Sequence, residues 1–348
     1  MPNLNLSSKR TQALLLPIQV AVSILLLIFL FQNVNLTETY KILSSVNLPV
    51  LAVSIVFFIL SSFAIGFALH GALKATGSAP PLRITQLANF GGQLLSDVTP
   101  AKSGYFATPV LLNQLKAVPI EKGLMSVMSV GAVNFFVKAA FSTAALIYFL
   151  NRITMETTMM NGLLIGISIL LVGGIGLTVI VWTNYLSSLL QKLSKLPLIG
   201  SLIRKLGSIR AMFAKDKTAL RKSAKTSTAS VIASILLSAI SLYLLAQAIG
   251  LTQPTFQDLL FMGPLTAVFM YVPLTFAGLG IQEAAYTFLL TSIGAPLETA
   301  LTFALLVRLI ATTTDLIGLP PLIKTGTGVL SALNRKEDPN STIISNNR

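Results

Sequence analysis

The run from Ala13 to Phe31, ALLLPIQVAVSILLLIFLF, contains no charged residue. As a helix rising 1.5 Å per residue it is about as long as the hydrocarbon core of a bilayer is thick, roughly 30 Å. Stretches of similar length recur at Pro49–Leu69, Ile120–Leu150, Gly162–Trp182, Ser227–Ile249 and Leu297–Leu319. Only 10% of the 348 residues are charged, against about 25% in an ordinary soluble domain. Six such runs predict an all-α, polytopic membrane protein. The first run follows Lys9 and Arg10, as a secretion signal would. It is longer than a signal core, however, and no small-residue cleavage pattern precedes Gln32 and Asn33, so it reads as a retained span.

The segments between the runs set an orientation. Asn33–Asn47 and Asn151–Asn161 each carry one acid and one base, and Leu251–Thr255 carries no charge. His70–Pro119 carries Lys74, Arg83, Lys102 and Lys116, and Thr183–Thr226 carries ten Lys or Arg residues against one Asp. Basic and neutral loops alternate, as six spans require, and the positive-inside rule places both termini in the cytoplasm. This also accounts for the net charge of +14 without invoking nucleic acid. A plasma (cytoplasmic) membrane location is expected.

Two stretches read neither as loops nor as full spans. Leu82–Lys116 is interrupted by Asp97, Pro100, Lys102 and Gly104, and Phe256–Gly294 by Pro273, Gly278 and Gly280. Their arms of about 14 to 18 residues reach roughly 21–27 Å as helix, and most fall short of crossing alone. Each is predicted to enter and leave on one side as a re-entrant helical hairpin, its irregular tip sheltered by protein or a water-filled cavity. The order span, span, hairpin, span then occurs twice. Three spans per unit invert the second copy, as in many secondary transporters. Gly104 is followed by VPIE at Val118–Glu121, and Gly280 by APLE at Ala295–Glu298. The expected units are 1–155 and 156–326, with a basic cytoplasmic loop at 184–226 and a polar tail at 327–348.

The segment VPLTFAGLGIQEAAYTFLLTSIGAPLETALTFALLVRLIATTTDLIG resembles the C-terminal half of the flippase-like family that includes the membrane domain of lysylphosphatidylglycerol synthase. Pro273, Gly278, Gly280, Glu283, Gly294, Arg308 and Gly318 carry the resemblance. TPAKSGYFATPVLL is similar to the turn of the family's first half, with Tyr105 where an acid is usual and Thr108 near a usual arginine. The resemblance implies movement of a lipid with a polar head group between leaflets. The polar tail is too short for the synthase's added aminoacyl-transfer domain, so that activity is not expected here.

Charge inside hydrocarbon is costly unless paired or hydrated, so each such residue is a site candidate. Glu283 follows the Gly278–Gly280 tip at a helix start, where the dipole favours a carboxylate. It reads as a cation partner, proton site or gate, or else as a cap or salt bridge. Arg308, midway along the last span, suits a lipid phosphate through its fork geometry, or else neutralises Glu283. Asp315 lies on nearly the same face two turns on. Lys138 occupies the place in the first copy that Asp315 has in the second. The two helices run oppositely, so Lys138 is expected outward of Asp315, snorkelling or lining an outer cavity. Lys102 is a candidate phosphate contact, or a partner for Asp97. Gln93 and Asn89, one turn apart, are expected to face the same cavity.

Apolar residues at helical spacing from Leu189 to Phe213, interleaved with Lys192, Lys195, Arg204, Lys205 and Arg210, predict amphipathic helices on anionic inner-leaflet lipid. His70 is the sole histidine and cysteine is absent. No hydrolase, metalloenzyme or ATPase motif occurs, so no enzyme activity, metal or cofactor is expected. GGQLL and GIGLTVIV read as helix-packing glycines. The leading expectation is a translocase for a membrane lipid, a phospholipid or polyisoprenoid phosphate. The alternatives are a secondary transporter of a small soluble solute, or a non-transporting scaffold or accessory subunit of a lipid-modifying or glycosylation pathway.

Overall fold

The computed structural model describes residues 6–32, 34–155, 157–183, 217–271, 275 and 278–324. The amphipathic segment 189–213, Pro273 and the tail 327–348 lie outside them. The described chain is helical, with no strand. In order it forms α1 (Leu6–Gln32), α2 (Leu36–Ser44), α3 (Leu48–Ala75), α4 (Leu82–Asp97), a 3-10 segment (Pro100–Ala107), α5 (Thr108–Lys116), α6 (Ile120–Leu150) and α7 (Thr157–Trp182). It continues with α8 (Lys217–Ala248), α9 (Phe256–Phe269), α10 (Ile281–Ser292), α11 (Leu297–Asp315) and a 3-10 turn (Leu316–Gly318).

Among the described residues five helices are long and apolar enough to cross a bilayer: α3, α6, α7, α8, and α11 continued to Lys324. A sixth appears if α1 and α2 count as one broken span. Polarity is distributed as lipid demands. Val172 on α7 is 70% exposed, and Leu25, Phe29, Val56 and Ile165 also face outward. Ser54, Ser61, Thr85, Asn89, Asp258 and Glu283 are buried. With no water outside, exposed apolar surface is unpenalised and polar groups must find partners within the bundle.

The closest packing joins α3 to α8, antiparallel, through small polar residues. The Asn47 N–H donates to the Ala248 carbonyl at 2.8 Å. Ser54 Oγ donates to the Ser241 carbonyl at 2.8 Å, and Ser61 Oγ to the Ser234 carbonyl at 2.9 Å. These contacts step by seven residues along both helices in opposite directions, two turns at a time, so one seam of small residues runs between them. Short side chains let the backbones approach, and each hydroxyl finds a carbonyl in place of water.

Both interrupted stretches fold as pairs of short helices. Pro119 and Pro296 are the N-caps of the long helices that follow, where a missing N–H and a fixed φ cost nothing. The second arms are shorter than the sequence suggests. α5 has 9 residues and α10 has 12. In the first pair, the expected sharp tip is an extended 3-10 segment over Pro100–Ala107, where Lys102 adopts a left-handed φ of 58°. The basic loop also ends earlier than expected, because residues 217–226 continue α8 as helix.

Each short pair packs on the long helices around it: α4 on α3, α5 on α6, α9 on α8, α10 on α11. Each also reaches across the chain, α9 touching α6 and α4 touching α11. In GGQLL, Gly91 lies against Gly318. A Cβ on Gly318 would stand 2.0 Å from the Gly91 nitrogen, so the α4 backbone and the end of α11 meet without side chains between them. In GIGLTVIV, Gly174 abuts the Phe136 ring, while a Cβ at Gly176 would meet open space. Packing therefore explains the first of these two glycines and not the second.

Candidate functional site

A cavity of about 320 Å³ lies between the two short pairs and the long helices. Its lining includes Ser61 and Ser62 near the middle of α3, Val130 and Lys138 near the middle of α6, Ser234 and Ser238 near the middle of α8, and Arg308 and the terminal Asp315 on α11. The lining includes apolar side chains, Phe58, Ile65, Val127 and Leu242 among them, and charged ones, Asp97, Lys102, Lys138, Arg308 and Asp315. Gln93 also lines it. Five of the residues singled out in the sequence thus converge on one space, from both halves of the chain.

The second tip is locked rather than open. Gly278 and Gly280 have φ of 73° and 85°, a region that side chains disfavour. The turn delivers the Gly280 N–H to Glu283 Oε2 at 2.8 Å, capping α10. Glu283 is 1% exposed. Arg308 Nε donates to Glu283 Oε1, and Nη2 donates to Glu283 Oε2 at 3.3 Å and to the Gly278 carbonyl at 2.9 Å. Of the two roles open for Arg308, neutralising Glu283 is the one these bonds display. Its Nη1 takes no part in them.

At the first tip Lys102 Nζ lies 2.5 Å from Asp97 Oδ1, both side chains mostly buried. The left-handed turn at Lys102 is held by Ser96 Oγ, which donates to the Lys102 carbonyl at 2.9 Å. Such strain persists only where surroundings enforce it, and it gathers at functional sites. Asn89 does not face the cavity beside Gln93 as expected. Its Nδ2 donates to the Ser62 carbonyl at 3.2 Å, and its Oδ1 accepts from Tyr105 Oη at 2.8 Å. Asn89 therefore ties α3, α4 and the 3-10 segment together behind the wall that Tyr105 forms. The residue at the departure from the family pattern thus has a structural task.

Lys138 reaches the same cavity as Asp315 rather than a separate outer one. Its Nζ donates to Tyr271 Oη at 3.1 Å, and Tyr271 also meets Asn134. Among the described residues Lys138 has no carboxylate partner. Asp315 is 5% exposed, faces Asp97 and Lys102, and leaves Oδ1 without a hydrogen-bond partner.

Sequence reasoning passed over Tyr271, Asn134 and Asp258. Asn134 lies one turn before Lys138 and hence on its face, a readable signal. A tyrosine hydroxyl within an apolar run needs a partner when buried, and Tyr271 was readable on that ground. Asp258 is fully buried and holds Arg152 at 2.9 Å and Tyr148 at 3.0 Å, fastening the start of α9 to the end of α6. It had no signal beyond a capping position.

Long apolar helices, inward polar side chains and a charged cavity between them define an integral membrane protein of the polytopic all-α class. Residues 17–318 match the family described as the lysylphosphatidylglycerol synthase TM region, and the chain belongs to that family. Comparison with curated proteins finds no match.

Proposed function

We propose that this protein moves a lipid with a phosphate-bearing head group between the leaflets of the plasma membrane, without covalent chemistry. The observation that carries this is Lys138, a cation without a carboxylate partner among the described residues, in a cavity that is part apolar and part charged. Lys138 is half-buried; a charge drawn partly out of water with no counter-ion is destabilised, and a bound anion relieves it. An amphiphile fits both kinds of wall, with acyl chains along Phe58 and Ile65 and phosphate at Lys138. The phosphate is assigned to Lys138, with Tyr271 and Asn134, rather than first to Arg308 or Lys102, because those two cations already hold Glu283 and Asp97.

Membrane family membership and the cavity's place among the long apolar helices support this reading, as does the recurrence of a short helix pair before α6 and before α11. In it the two pairs are re-entrant hairpins of an inverted repeat, entering from opposite faces with both termini cytoplasmic. Opening one hairpin at a time would expose the cavity to each leaflet in turn.

The test is leaflet exchange of fluorescent phosphatidylglycerol in proteoliposomes, with an impermeant reductant bleaching the outer leaflet. Lys138→Met is expected to slow exchange about tenfold or more, the equivalent of one charge-assisted hydrogen bond. Exchange unchanged in a folded Lys138→Met protein would remove the site assignment. A cavity of about 320 Å³ also suits a small soluble anion. Uptake of a water-soluble phosphate ester without lipid exchange would favour that second reading.

A further inference from the structure

We infer that Asp97 and Asp315 share one proton, and that this proton is taken up together with the anionic head group. The inference rests on the translocase reading for its second half and on geometry alone for its first. The two carboxyl groups come from opposite halves of the chain, Asp97 at the end of α4 and Asp315 at the end of α11. Both line the same cavity. Asp97 Oδ2 and Asp315 Oδ1 are both buried, and neither has a hydrogen-bond partner. Two ionised carboxylates offer four acceptors and no donor, so neither can satisfy the other. A single proton between them supplies the missing donor and removes the repulsion between like charges at close range.

The surroundings decide what that proton does. Lys102 is bound to Asp97 Oδ1 at 2.5 Å and also faces Asp315. Arg308, two turns earlier on α11, is held by Glu283 from α10. Lys138 on α6 bonds Tyr271 beyond α9, and Tyr105 lies nearby on the 3-10 segment. The walls from α3 and α8 contribute serines, not charges: Ser61, Ser62, Ser234 and Ser238. With both aspartates ionised, Lys102, Lys138 and Arg308 balance Asp97, Asp315 and Glu283, and the cavity is neutral. With one shared proton, it carries a net positive charge and attracts a phosphate. Proton and anion binding therefore reinforce each other, and the loaded site is neutral as it passes the middle of the membrane, where net charge is most costly. No bond is made or broken beyond the proton's transfer from water to the carboxyl pair and back.

The site is tested by infrared difference spectroscopy of the whole protein in lipid during a pH titration. A protonated-carboxyl band is expected in the wild type. It should disappear in Asp315→Asn, and also in Asp97→Asn, which serves if the first variant fails to fold. Absence of the band in the wild type, or its persistence in both variants, overturns the shared proton. Coupling is tested by exchange of fluorescent phosphatidylglycerol under an imposed pH gradient, with an internal pH dye. Lipid is expected to leave the acidic side faster and to alkalinise that side, and Asp315→Asn should lose this response. Exchange that ignores the pH gradient, or follows a sodium gradient instead, overturns the coupling while leaving the translocase reading intact. No exchange under any condition defeats the translocase reading and the coupling with it, while the infrared result still decides the shared proton.

Discussion

Glu283 and Arg308 show how one pair of charges can be a lock before it is anything else. Glu283 accepts the Gly280 N–H and the Arg308 guanidinium together, so the tip of the second helix pair is bound to α11 through a single carboxylate. Removing one member of a buried pair leaves the other uncompensated, at a cost of about 3–5 kcal/mol. Glu283→Gln keeps the shape and some hydrogen bonding but strands Arg308. Detergent unfolding should show it destabilised by roughly that amount. Joint replacement with Glu283→Leu and Arg308→Met should recover most of the loss, because neither charge is then left alone. If the double variant is as unstable as the sum of the singles, the pair has no mutual role and the lock is wrong. Lys138 is the contrasting case. Only a neutral hydroxyl holds it in the bonds described, so Lys138→Met should leave stability unchanged or raised while impairing exchange.

Helices meet here through small residues, and that makes their register testable. The sequence contains no cysteine, so introduced pairs report without background. Ser61→Cys with Ser234→Cys places sulfurs where hydroxyl oxygens lie 2.9 Å apart. Ser54→Cys with Ser241→Cys does the same at 3.2 Å. Both pairs should cross-link under mild oxidation, and the mismatched Ser61→Cys with Ser241→Cys should not, being two helical turns out of register. At the other crossing, Gly318→Ala pushes a methyl group into the Gly91 backbone. An overpacking cost of about 1–3 kcal/mol is expected, together with a shift of Asp315 away from Asp97. These contacts mark the limit of what was readable beforehand. The long spans were legible because about 20 apolar residues in lipid allow little but a helix, and Pro119 and Pro296 fixed the starts of α6 and α11. The short second arms and the 3-10 segment were not. Their form is set by what they pack against, such as Asn89 reaching the Ser62 carbonyl, and not by periodicity. Likewise Arg308 and Glu283 stood out as charges within hydrocarbon, whereas the Lys138–Tyr271 contact joins α6 to the end of α9 and no local pattern announces it.

If the two short helix pairs are re-entrant, as proposed, the arrangement of the whole chain in the membrane follows from one geometric statement: both ends of a re-entrant pair lie on the same side. Ala79 precedes α4 and Ala117 follows α5; Gln253 precedes α9 and Ser292 closes α10. On the proposed reading the basic loops put the first two toward the cytoplasm, and inversion of the second unit puts the other two outside. Ala79, Ala117, Gln253 and Ser292 fall in two groups even though each lies at an end of a short helix. Single cysteines at the four positions, all of them exposed, should react with an impermeant maleimide in opposite patterns. Ala79→Cys and Ala117→Cys should label only in inside-out vesicles or after permeabilisation. Gln253→Cys and Ser292→Cys should label in intact cells. If the members of either group label from opposite faces, that pair of helices crosses the membrane. The count of spans then rises by one, and where it is the first pair that crosses, the two units become parallel rather than inverted. The cavity would then open to lipid by some route other than alternate movement of the two tips. The labelling result therefore bears on mechanism as well as topology, since alternating access around Lys138 requires one tip to face each side.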